Sequence, residues 1–164
     1  PQHLWHFDQV LKQYPDALVV QTHRDPARIL VSISSLVATL RTMCSDHVNI
    51  TEVARGYARE LARGYKKAME FRRSGLLPDN QIYDLYFKDF MSDQVGAVAN
   101  VYQHFGIDFS AEASTAIQGF IDANPHDKHG SHQYNLASVG IEENELREMF
   151  RDYRDFFQIP EEEI

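Results

Sequence analysis

One cysteine, Cys44, in 164 residues leaves nothing for an intrachain disulfide or for a CxxC zinc or redox motif. No apolar run approaches the roughly 20 residues a bilayer-spanning helix needs. The opening Pro1 to Phe7 has neither a basic n-region nor an apolar h-region, so it does not read as a signal peptide, and it does not start with Met. Basic charge is short as well: 16 Lys and Arg stand against 24 Asp and Glu, a net −8 with His neutral. A general nucleic-acid binder needs a basic face to neutralise phosphates, so no nucleic-acid partner is expected. A few placed cations still suffice for one small anion site. Apolar residues make up 43% of the chain, enough to exclude a disordered tail and to build a core within one domain or a large piece of one.

What is present is mostly helical periodicity. Leu4, Phe7, Val10, Leu11 and Tyr14 recur at threes and fours and predict a helix ending before Pro15-Asp16. Ala17 to Thr22 is short, apolar and β-branched, the pattern of a strand covered on both faces. Asp25-Pro26 reads as a helix start, with Asp as the cap and Pro at the first helical position. That helix is expected to run to about Met43. Its apolar stripe is Ile29, Leu30, Ile33, Leu36, Val37 and Leu40, beside a polar stripe of Arg28, Ser32, Ser35 and Thr39. A long helix should span about Thr51 to Ser74 and stop at Gly75, followed by a strand over Ile82 to Phe87. Helices are expected over about Ser92 to Phe105, Ala111 to Ala123 and Glu142 to Phe157, with a polar loop from Asn124 to Val139 and a frayed end after Pro160. Strands separated by helices imply parallel pairing through crossovers, hence an α/β fold. Two strands make too small a sheet to stand alone.

The chemistry concentrates at Leu18-Val-Val-Gln-Thr-His-Arg-Asp-Pro-Ala-Arg-Ile-Leu-Val-Ser32. Arg24 stands at the carboxyl end of a strand, where open parallel sheets bind ligands. The next helix offers its N-terminus to anions, and a guanidinium with a nearby hydroxyl, Ser32, suits a terminal phosphate. The residues alone equally allow an ordinary structural corner in which Arg24 pairs with Asp25 or another carboxylate. His126, His129 and His132 lack a completing thiolate or well-spaced carboxylate, so no metal site is assigned. Cys44, without a base partner, reads as a buried or inert thiol.

The segment resembles the second nucleotide-binding element of sulfotransferases that use phosphoadenosine phosphosulfate (PAPS). In that family a strand ends in Arg-[Asp/Asn]-Pro with Ser eight residues after the Arg, as Arg24, Asp25, Pro26 and Ser32 stand here. Pro1-Gln-His-Leu4, Tyr14-Pro-Asp-Ala17, Leu85 to Asp93 and Val101-Tyr-Gln-His-Phe-Gly106 are similar to bacterial-type members in the same order. The resemblance implies a P-loop-like parallel sheet with flanking helices, helix-rich and truncated at the N-terminus. It implies a 3′-phosphate held by Arg24 and Ser32, closed over by the Lys128-His129-Gly130 loop, with PAPS as donor and no metal. Phe87 stands where the family often has Tyr; it keeps a ring contact with adenine but not the hydroxyl hydrogen bond. The acceptor would be a hydroxyl- or amine-bearing molecule, and His3 is the candidate base that takes its proton. The family's phosphosulfate loop is missing from these residues. The expectation is therefore a single partial domain over 1–164, the C-terminal portion of a cytoplasmic sulfotransferase, with little activity by itself. A non-catalytic helical interaction module, which could self-associate as a homo-oligomer, and a nucleotide-kinase fragment are the other readings.

Overall fold

The computed structural model describes residues 2–125 and 136–164. A short 3-10 turn, Gln2–Trp5, precedes α1 (Phe7–Gln13). The single expected helix is therefore two pieces, broken at His6, whose backbone leaves the helical region and whose side chain offers no cap. β1 is Val19–His23 and α2 is Pro26–Thr42. α3 is Ile50–Arg73, capped by the Asn49 side chain on the Glu52 N–H and followed by Gly75 at φ +69°. β2 is Ile82–Tyr86, and it runs directly into α4, Phe87–Ser92. Phe87 thus opens a helix instead of ending a strand. α5 (Gln94–His104), α6 (Ala111–Ala123) and α7 (Glu143–Phe157) complete the order.

β1 and β2 pair in parallel, with Val19 opposite Ile82 and His23 opposite Tyr86. The crossover between them is the α2–α3 pair. The core is built from one stripe of each long helix: Ala27, Leu30 and Val31 of α2; Ala54, Ala58, Tyr65 and Met69 of α3; Leu146, Phe150, Tyr153 and Phe157 of α7. These recur at three, four and seven, so each stripe faces one direction. Each fully buried large side chain here contributes about 1.5–3 kcal/mol. Gly64 lets the N-terminal turn seat on α3: a Cβ there would stand 2.7 Å from the Trp5 ring.

Three expectations are corrected. α2 buries Ala27, Leu30, Val31 and Ser34, a stripe rotated from the one expected; Leu36 and Leu40 lie more than half exposed. The helix is steered by its contacts with α3 and α7, which the Leu and Ile positions alone do not reveal. β1 is covered on one face only, with Gln21 and His23 inside and Val20 outside. Cys44 is exposed.

Candidate functional site

The carboxyl end of β1 sends two consecutive side chains to opposite fates, as the pleat requires. His23 points inward and is buried among Tyr86, Tyr153 and Phe157, with the Phe157 ring centroid 4.3 Å away. Its Nε2 lies 2.8 Å from Asp84 Oδ1 and its Nδ1 lies 3.0 Å from the Tyr153 hydroxyl. A carboxylate can only accept, so Nε2 donates to Asp84. Gln21 Nε2 donates to the Tyr153 oxygen at 3.4 Å. Arg72 donates to both Asp84 oxygens, at 2.9 and 2.7 Å, and to Gln21 Oε1 at 3.3 Å. The ring of bonds closes on itself, from Arg72 through Gln21, Tyr153, His23 and Asp84 back to Arg72. Burial alone would raise the Asp84 carboxyl, but the bonds from His23 and Arg72 outweigh it and hold the group at about 2. Burial pushes the Tyr153 and Tyr65 hydroxyls well up. Neither phenol is a base at neutral pH. This cluster locks β1, β2, α3 and α7 together.

Arg24 turns the other way. Its guanidinium carbon sits 4.0 Å from the centre of the Phe87 ring. It holds the Glu162 carboxylate by two prongs, Nε at 3.0 and 3.1 Å and one Nη at 2.9 Å. Asp25 next to it is fully buried and caps α2 by accepting from the Ala27 N–H at 3.0 Å. Asp25 also accepts from Arg147 and from the Glu162 backbone N–H. The Arg147 Nη2 reaches the Glu162 carbonyl and Glu143, both at 2.8 Å. Burial would lower the Arg147 guanidinium, but its bonds to Glu143 and Asp25 and their charges carry it upward. The chain end after Pro160, expected to fray, is therefore tied to the strand tip and the N-terminus of α2. Its anchors are side chains from 15 and 137 residues away in sequence, a distance over which local composition is uninformative.

Two cavities meet at Arg24. One, of about 380 Å³, is lined by Thr22, Arg24, Ile29, Leu85, Phe87 and Phe90. The other, of about 370 Å³, is lined by Arg24, Phe87, Lys88, Met91, Pro160 and Glu162 among others. Arg24 and Phe87 are thus brought together. Ser32 lies on α2, seven residues beyond its cap and about 10 Å along the axis. It is partly exposed and lines neither cavity. His3 is exposed on the N-terminal turn, which packs on α3, and it lines neither cavity. Lys128, His129 and Gly130 lie outside the described residues, as do His126 and His132. Among the described residues, no cluster of His, Cys, Asp or Glu could hold a metal ion. No helix among them is long and apolar enough to cross a membrane.

The His23–Asp84–Arg72–Tyr153 ring was not anticipated, and of the carboxylate partner allowed for Arg24 only the identity, Glu162, was not. The first had a signal, two polar residues at the inward positions of an apolar strand. The second had none.

The comparisons with known proteins agree with the resemblance read from the strand tip. The model of the Sulfotransferase family matches residues 1–111. Sulfotransferase STF1 of Mycobacterium tuberculosis H37Rv is 29% identical, with a TM-score of 0.72 over 93% of this chain and 38% of that one. Sulfotransferase STF9 of Mycobacterium avium is 22% identical, with a TM-score of 0.85 over 98% of this chain and 41% of that one. The chain spans about two fifths of the length of each. No curated protein matches it.

Proposed function

Because this chain belongs to the sulfotransferase family, we propose that it forms the nucleotide 3′-phosphate side of a cytoplasmic enzyme that moves a sulfuryl group from PAPS to a hydroxyl or amine acceptor. The observation that carries this reading is the setting of Arg24. A guanidinium at a strand tip, backed by the Phe87 ring, already grips a carboxylate, Nε reaching both of its oxygens and Nη2 one of them. The Glu162 carboxylate stands in for two oxygens of a phosphate, which the same planar donor pair fits. Lys88 lines the same cavity and adds a second cation.

The donor, when bound, supplies the sulfuryl group on a nucleotide leaving group. The chain's own residues would do the rest by position and charge. Arg24 neutralises the 3′-phosphate and fixes the nucleotide's register. Ser32 offers a hydroxyl from α2. Phe87 presents its ring to the adenine without a hydroxyl to bond it. His3 takes the proton from the attacking acceptor. The polypeptide by itself transfers little or no sulfate.

Calorimetry with 3′-phosphoadenosine 5′-phosphate tests the reading. Arg24→Ala should weaken binding by at least about tenfold, the loss of a charge-assisted fork. Ser32→Ala should weaken it by roughly threefold to tenfold, one neutral hydrogen bond. Binding that survives Arg24→Ala unchanged would refute the assignment. A preference for ATP would favour a kinase. No nucleotide binding at all would favour an interaction module, which the exposed Leu36, Leu40, Leu18 and Val20 would serve.

A further inference from the structure

The C-terminal strap holds the same cation that the proposed function gives to the nucleotide. After α7 the backbone turns at Gln158, φ 53°, and Ile159 N–H bonds back to the Arg154 carbonyl. Ile159 is buried and pins the turn. Pro160, Glu161 and Glu162 then run back beside the start of α2. Glu161 pairs with Arg154. The Glu162 backbone is tied at both ends, its N–H to Asp25 Oδ2 at 2.9 Å and its carbonyl to Arg147 at 2.8 Å. None of these anchors uses the Glu162 carboxylate. That carboxylate instead fills the Nε–Nη fork of Arg24 and accepts from the Asp25 backbone N–H at 3.4 Å.

We infer that Glu162 is a built-in competitor for the 3′-phosphate, setting how tightly the site takes a nucleotide. The inference rests on Arg24 being the phosphate ligand. One fork cannot serve two anions, since a guanidinium offers a bidentate edge to one planar pair of oxygens at a time. A dianion brought against Arg24 also meets the Glu162 charge at a few ångströms, where repulsion between like charges is large. The phosphate therefore enters as the carboxylate swings out. The Arg24–Glu162 pair is about one third exposed on each side, so water can receive the displaced carboxylate. The strap stays in place during the exchange, because its backbone bonds and the Glu161–Arg154 pair do not depend on that side chain.

Calorimetric titration of the whole chain with 3′-phosphoadenosine 5′-phosphate tests the competition. Glu162→Gln keeps the backbone bonds and the shape but removes the charge. It should bind at least about fivefold tighter than the natural sequence, and Glu162→Ala should show the same gain. Glu161→Gln removes an equal charge from the same strap and the same cavity rim, but its carboxylate pairs with Arg154 and Arg147 and not with Arg24. Its affinity should stay within about twofold. Adding Arg24→Ala to Glu162→Gln should erase the gain. Unchanged or weaker binding by both Glu162 variants overturns the competition; if Arg24→Ala alone still abolishes binding, the phosphate assignment stands without it. Equal gains from Glu161→Gln and Glu162→Gln also overturn it, as an effect of net charge. Binding that ignores Arg24 in every background overturns the assignment itself, and the competition with it. Thermal melting of each variant, expected within a few degrees of the natural chain, separates a lost site from a lost fold.

Discussion

Two guanidinium–carboxylate pairs sit within one strand of each other, and their surroundings give them different work. Arg72 and Asp84 form a two-pronged pair with side chains 19% and 26% exposed, inside a closed ring with His23, Tyr153 and Gln21. Arg24 and Glu162 form a pair of similar distances, 33% and 30% exposed, in which Nε and Nη2 converge on one carboxylate oxygen and Nε also reaches the other. In the first, each of the five residues bonds two others, so removing one group strands two. In the second, the carboxylate rides on a strap anchored by other atoms, so the pair can open while the fold persists. On the proposed reading, pairs alike in their distances serve as structure in one place and as an exchangeable anion grip in the other.

That contrast can be broken at its strongest point first. Arg72→Ala leaves Asp84 charged and half its ring unsatisfied, and should cost about 3 kcal/mol in urea unfolding, the loss expected when one partner of a largely buried pair is removed. A loss below about 1 kcal/mol would mean the ring is no more structural than the Arg24 pair.

Asp84→Asn sharpens the same point through pH. The carboxyl is held at about 2 against an ordinary 3.8, so its charged form stabilises the fold at all pH values above the ordinary one. The variant should lose about 2 kcal/mol at neutral pH. The gap from the natural chain should close as pH falls from about 4 toward about 2, where Asp84 itself takes up a proton. A gap that is the same at both ends of that range would rule out the charge as its source.

Arg24→Ala is the smallest of the three in stability. An ion pair one third exposed, with a cation–π contact on Phe87, is worth about 1 kcal/mol or less. The same substitution should nevertheless remove nucleotide binding, whereas Arg72→Ala should lower stability far more than it lowers affinity per folded molecule.

Much of the fold was legible because it rests on local signals. The Asp25-Pro26 cap, Gly75 behind α3, and the three-four spacing of Leu146, Met149, Phe150 and Tyr153 placed helices to within a residue or two. α4 was hidden because Phe87 to Ser92 continues an apolar strand pattern without a capping side chain. The face of α2 was misjudged because Ala27 and Ser34, small and unremarkable in sequence, are what α3 and α7 press against. At the candidate site, Arg24 was identifiable from the strand-tip pattern and Phe87 from the family resemblance. Their contact was hidden by the helical start of α4, and Glu162 by a gap of 138 residues.

The order of residues alone determined that a cation would stand at the end of β1 and that a capped helix would follow it, since strand pairing, caps and helix stripes are set within a few positions. Which anion that cation holds was decided only by tertiary structure. The turn at Gln158 brings the acidic strap back across the sheet's carboxyl end, and a charge meets its partner by proximity in space, whatever the distance along the chain.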